Sequence, residues 1–325
     1  MRRNIFLFSF PAATILTGWA FYMAHGNLWL LFSDNWFMTA TMVFGSFIAG
    51  ASSEGGGAIA FPAMTLLFNI EPEVARNFSF AIQSVGMTFA AIWIFISGIK
   101  IEKNYLLLAG AGGFIGIIFG SYFIVPLIKP DYAKMMFVSF WLSFGIALAV
   151  VNFINQRKSI EKLPHLSFIQ KSELFFVGTL GGVFSSVLGN GLDICTFSYV
   201  VMKYGLSEKI ATPTSVILMA SNAIIGFIIH LFFLETFQTE AFHYWLVCIP
   251  VVIFGAPLGA YTITLIGRKS IAGILILIII AQFITAIFVI KPGMDLILFS
   301  TLIFVIGIFI FFVITKKRYT GSGVN

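Results

Sequence analysis

The sequence predicts an all-α polytopic membrane protein of two inverted-topology repeats. Each repeat holds a glycine-broken re-entrant hairpin and three transmembrane helices, with one extra helix at either end of the chain. Three observations lead there. The 325 residues are 59% apolar and only 10% charged, with a mean hydropathy of +1.00. Soluble domains carry about 25% charged residues, so these charges are too few to cover a soluble surface. Soluble enzymes, nucleic-acid binders and disordered scaffolds are thereby excluded. The other two observations are the lengths of the apolar runs and a glycine-marked internal repeat.

Met1-Arg2-Arg3-Asn4 precedes an apolar stretch over 5–26. It is longer than the core of a signal peptide and is followed by no small-x-small cleavage pattern, so it reads as a retained first helix within 1–35. Crossing ~30 Å of hydrocarbon takes roughly 20 apolar residues. Further runs of that length lie at 77–98, 104–128, 132–154, 210–234, 242–266, 270–290 and 294–315. Segments 36–69 and 172–205 behave differently. Each is too short for two crossings and is interrupted, by Ser53-Glu54-Gly55-Gly56-Gly57 and by Gly189-Asn190-Gly191-Leu192-Asp193. Two half-length helices meeting in mid-membrane fit that length, and irregular backbone there must line protein or a watery cavity. The chain thus divides into repeat 1 (36–154), a cytoplasmic linker (155–171), repeat 2 (172–290), and a final helix with its tail (291–325).

Charge supports this topology. With both hairpins returning to the side they entered, and the N-terminus inside, fifteen of the nineteen basic residues fall inside. Only Arg76, Lys129, Lys134 and Lys291 fall outside, in company with Glu71, Glu73, Asp131 and Asp295. That asymmetry, which also accounts for the net charge of +6, places both termini in the cytoplasm and the protein in the plasma (inner) membrane.

The repeat aligns without a gap over 45–98 and 181–234: Gly45 with Gly181, Gly55 with Gly191, Phe61 with Phe197, Ala75 with Ala211, Ser79 with Ser215. Gly116, Gly120 and Tyr122 recur as Gly255, Gly259 and Tyr261. Three crossings per repeat make the two copies inverted. Inverted repeats with broken helices are the signature of secondary transporters, with the binding site at the breaks.

The candidate site follows from those breaks. A half-helix that starts in mid-membrane presents free N–H groups and a positive dipole end, and glycines let a ligand approach the backbone. Gly55, Gly56, Gly57, Asn190 and Gly191 therefore read as an anion cradle; the alternative is a tight turn that permits close packing. Ser79, Gln83 and Gly86 share one helix face, matched by Ser215, Met219 and Asn222, and Gln83 and Asn222 are buried amides that contact either substrate or neighbouring helices. Glu54 and Asp193 cost ~2.5–3.5 kcal/mol each near the bilayer centre. Either they cap half-helices, with Asn190 as N-cap beside Asp193, or one carries a coupling proton, which requires a raised pKa. Pro213 suits a first-turn position. The Gly116/Gly120 and Gly255/Gly259 pairs have close-packing spacing, and His25, His230 and His243 read as interfacial side chains. Cys195 and Cys248 are small packing residues, not a metal or disulfide framework. His165 and the basic residues near it form a solvated linker facing anionic headgroups. No enzyme signature, metal motif or cofactor motif is present.

Gly50-Ala-Ser-Ser53-Glu54-Gly55-Gly56-Gly57-Ala-Ile-Ala-Phe-Pro62, followed by Ala75-Arg-Asn-Phe-Ser79, is similar to the opening motif of the TauE/SafE sulfite exporter family. Ala211-Thr-Pro-Thr-Ser215 resembles its second-half echo, and the likeness runs from about residue 40 to 290. The resemblance implies a permease that moves sulfite, organosulfonates or related small anions. Two departures, Glu54 ahead of the triple glycine and Gly191-Leu192-Asp193 in place of three glycines, set carboxylates at the anion site. The expected partners are a small anionic substrate and the lipid bilayer, with no nucleic acid; self-association is left open. Rival readings are a cation or neutral-solute transporter that uses Glu54 and Asp193 as ligands, and a non-transporting accessory protein.

Overall fold

The computed structural model describes residues 2–52, 60–150, 153 and 159–316. Glu54, Gly55, Gly56 and Gly57 lie outside the described residues. Eleven helices of eight residues or more are described: α1 (Arg2–His25), α2 (Trp36–Ala51), α3 (Pro72–Ile96), α4 (Lys103–Phe119), α5 (Pro130–Ala149), α6 (Phe168–Leu188), α7 (Leu192–Tyr199), α8 (Glu208–Ile228), α9 (Thr239–Leu265), α10 (Arg268–Ile290) and α11 (Met294–Lys316). No strand is present among the described residues. Eight helices are long and apolar enough to cross a membrane, and they match the eight apolar runs.

Local chemistry sets the boundaries. Pro72 and Pro130 occupy first-turn positions of α3 and α5, where a missing N–H costs nothing. Glu102 caps α4 by accepting from the Tyr105 N–H. Ser167 and Gln170 form a reciprocal capping box that starts α6 at Phe168. That box places the start of α6 four residues ahead of the segment 172–205. Helix α6 runs 21 residues, whereas α7 has 8 residues followed by a five-residue π turn, Val200–Tyr204. A matching π turn, Ala63–Leu67, closes the corresponding segment of the first half.

The reading of Pro213 is corrected. It is the sixth residue of α8, beyond the first turn, so it removes the N–H that would bond to the Lys209 carbonyl. The linker is less loose than expected. Ile160 pairs with the 205–207 turn through Ile160 N–H to Gly205 O (2.9 Å) and Ser207 N–H to Ile160 O (2.8 Å), and Leu163 and Leu166 are buried.

Helices α3, α8 and α9 are mostly buried, whereas α1, α10 and α11 are mostly exposed. Packing pairs the halves crosswise: α4 lies along α6, α9 along α2, and α3 against α8. Glycine makes this close approach possible. A Cβ at Gly116 would sit 2.0 Å from the Thr179 carbonyl oxygen, and one at Gly120 2.1 Å from Ser186 Oγ. A Cβ at Gly255 would sit 2.0 Å from Ser46 Oγ, and one at Gly259 2.0 Å from the Phe47 carbonyl oxygen. Close packing, as the spacing predicts, is the role of all four.

Candidate functional site

The break between α6 and α7 is built from both halves of the chain. Helix α6 ends at Gly189, whose φ of 81° is left-handed and whose N–H bonds to the Ser185 carbonyl at 2.8 Å. A side chain there would be strained and would also meet Ser79, its Cβ lying 2.5 Å from the Ser79 Cβ. Helix α3 therefore lies directly on the break. Gln83 fixes it there, its Nε2 donating to the Gly189 carbonyl and to the Ser79 carbonyl, each at 2.9 Å. The Gly189 bond joins residues 106 positions apart in the chain.

The start of α7 is satisfied from within the protein. Gly191, not Asn190, is the N-cap. The Gly191 N–H donates to Asp193 Oδ1 (3.0 Å) and the Leu192 N–H to Ser185 Oγ (2.9 Å). Two of the N–H groups that the sequence offered to an anion are thus held by side chains of the break itself. Asp193 is fully buried, and its Oδ2 has no hydrogen-bond partner among the described residues. One turn on, Thr196 Oγ1 and Tyr105 Oη lie 2.9 Å apart and tie α7 to α4. Away from the break, α6 is joined to α7 and to the π turn after it: Glu173 accepts from Tyr199 Oη (2.7 Å) and pairs with Lys203.

The remaining expected residues are buried on α8. Ser215 Oγ donates to the Thr212 carbonyl, a local helix bond, and Asn222 Oδ1 has no hydrogen-bond partner among the described residues. Ser79, Gln83, Asn190, Gly191 and Asp193 are brought together at one break. The second break falls outside the described residues.

Two pockets lie at opposite ends of α3 and α8. One, of about 380 Å³, includes Glu73, Arg76, Ser121, Tyr122, Val187 and His230. The other, of about 990 Å³, includes Trp93, Lys100, Glu161, Lys209 and Tyr261. His230 is 1% exposed and belongs to the first pocket, which corrects its reading as an interfacial side chain. Arg76, placed by the sequence among outer-loop cations, is a 4% exposed residue inside α3. The missed signal was Glu71-Pro72: a proline at the first helical position starts α3 at 72 and carries Arg76 into its second turn.

The family model for the sulfite exporter TauE/SafE matches residues 38–286, which is more than half of the chain. The chain belongs to that family. No curated protein and no solved structure matches it. Membership makes it a multi-pass membrane protein of a transporter family. The matched span takes in α2 to α10 almost completely and leaves out α1 and α11. Those omitted helices are among the most exposed, and the matched TauE/SafE region holds the most buried helices together with the exposed α10. No cluster of three or more metal-ligating side chains occurs among the described residues.

Proposed function

We propose that this TauE/SafE protein is a secondary transporter of a small, sulfur-containing anion such as sulfite or an organosulfonate. It works by alternating access between two inverted repeats, with both termini in the cytoplasm of a cell bounded by its plasma membrane. The observation that carries the reading is the Gln83–Gly189 bond: a helix of the first half holds the broken backbone of the second, so the halves meet at an irregular polar point inside an apolar bundle. The crosswise glycine contacts support the repeat, since Gly120 against Ser186 corresponds to Gly259 against Gly50, position for position. The Glu173–Tyr199–Lys203 cluster supports a re-entrant second hairpin, because it pins the outer ends of α6 and α7 side by side. Pockets at both ends of α3 supply the two access routes that such a cycle needs.

Asp193 is the proton-coupling candidate, through Oδ2, which has no hydrogen-bond partner among the described residues. The same oxygen favours a second reading, in which Asp193 is a cation ligand. Sulfite uptake into proteoliposomes under an imposed pH gradient separates the readings. Wild-type protein should accumulate sulfite, while Asp193→Asn, which keeps the Oδ1 acceptor, should lose the pH-driven component and retain sulfite exchange. Uptake that depends on sodium and ignores the pH gradient favours the cation reading, and absence of any sulfite flux removes the proposal.

A further inference from the structure

The N–H groups at the α7 break are partly consumed by Asp193 and Ser185, so anion recognition calls for donors elsewhere. The pocket at the Arg76 end has them. Arg76 is buried, and its described bonds use Nε, which donates to Asn77 Oδ1 (3.2 Å), and Nη2, which donates to Glu73 Oε1 (3.2 Å). That leaves most of a five-donor fork whose geometry matches a planar or tetrahedral oxyanion. His230, in the π turn Ile229–Phe233 that follows the facing helix α8, has Nδ1 2.8 Å from Thr236 Oγ1, while its Nε2 has no hydrogen-bond partner among the described residues. Ser121 Oγ, from the π turn Gly120–Ile124 that follows α4, is equally buried and unpartnered among those residues. Three polar groups, one from α3 and two from the π turns that follow α4 and α8, thus line one cavity of about 380 Å³, large enough for a small anion and its waters.

The frame around them is stiff. Asn77 Nδ2 donates to the Thr236 carbonyl and to Gln238 Oε1, both at 2.8 Å, which locks α3 to the loop that orients His230. His230 also stacks on Phe80, ring centroids 5.7 Å apart. In the tautomer in which the Thr236 hydroxyl donates to Nδ1, Nε2 carries the proton and is a donor. Glu73 is the one acidic side chain among the residues that line the pocket, and it is about half exposed. Glu73 can turn out to water but Arg76 cannot, so releasing their single contact leaves a buried guanidinium that a bound anion would have to neutralise.

We infer that Arg76, His230 and Ser121 form an oxyanion-binding site, and that Glu73 occupies the guanidinium until an anion displaces it. The class of ligand, a small sulfur oxyanion or sulfonate, rests on the transporter reading above; the existence of the site does not. Val187, two residues before the Gly189 break, also lines the cavity, so the site abuts the break at which the halves meet.

Calorimetric titration of the full-length protein in detergent with sulfite and with methanesulfonate tests this, with acetate for comparison. Arg76→Lys should weaken binding at least tenfold, because an ammonium cannot reproduce the fork. His230→Phe should weaken it several-fold and His230→Gln should restore most of the loss. Glu73→Gln should tighten binding several-fold by removing the competitor. The inference is overturned when folded variants all bind as wild type does, or when wild type binds neither probe. Where Arg76→Lys does not fold, Glu73→Gln decides, since unchanged affinity there removes the displacement and with it the site. Proteoliposomes that carry no sulfite while binding follows this pattern would remove the transporter reading and leave the site. Sulfite flux alongside wild-type binding in every variant would do the reverse.

Discussion

The two halves of the molecule share a skeleton and differ in chemistry. Their glycines meet matching partners, and their pockets sit at matching positions: Glu73 corresponds to Lys209, Tyr122 to Tyr261, and Val125 to Thr264. Yet Arg76 in one half faces its pocket where the other half has Thr212, buried with its Oγ1 unpartnered among the described residues. Gln83, which clamps the opposite break, corresponds to Met219, which has no amide to offer. The pockets also differ in size, about 380 Å³ against about 990 Å³. Backbone packing tolerates no drift, because a single Cβ at a glycine contact collides with a carbonyl oxygen. Side chains facing a cavity have no such constraint, so the halves can specialise while the frame stays paired.

The sharpest way to break this comparison is to fill the shared contacts. Gly116→Val and Gly259→Val should each cost about 3 kcal/mol or more, since the clash is with backbone that cannot rotate away. Thermal unfolding in detergent, followed by tryptophan fluorescence, should show comparable losses in the two variants; a large loss in one alone would mean that the halves do not depend on equivalent packing. A smaller effect separates the halves instead. Gln83→Leu leaves the Gly189 carbonyl without its amide donor and should cost about 1–3 kcal/mol. Met219→Leu conserves volume and should cost under ~1.5 kcal/mol. Equal losses would place the clamp's stabilising role elsewhere.

The smallest effect lies at the Lys209 end, where Lys100 and Glu161 pair at 2.7 Å in the open. The hydrogen bond and charge of Lys100 hold the Glu161 carboxyl below its ordinary value. A depressed folded-state pKa gives a contribution that is present above the unfolded carboxylate value of about 4.3 and is lost as pH falls through the folded value. The melting difference between wild type and Glu161→Gln should therefore be slight at pH 7 and fade as the pH falls from the unfolded carboxylate value through the lower folded one. A difference that persists in acid would show that the glutamate acts through something other than its charge.

Much of the fold was legible because bilayer physics is severe. Runs of about 20 apolar residues can do little but span hydrocarbon, and glycines four apart can do little but admit another helix. The eight spans, the packing role of the glycine pairs and the irregular break at 189–191 follow from those two constraints. Other features depended on distance through space. Gly191 rather than Asn190 caps α7 because Ser185, seven residues away along the chain, reaches the Leu192 N–H. Helix α6 starts at Phe168 because Ser167 and Gln170 cap it there, four residues ahead of the segment 172–205.

What the sequence determined by itself was the membrane, the helix pairs that pack closely and the break at 189–191, since these follow from hydrophobicity and from the missing Cβ of glycine. What only the tertiary structure decided was which polar groups face one another. Arg76 and His230 are 154 positions apart and belong to different halves; the antiparallel packing of α3 on α8 lines one pocket with both. Burial of polar groups is a property of the surroundings, and those surroundings are supplied by helices distant in the chain.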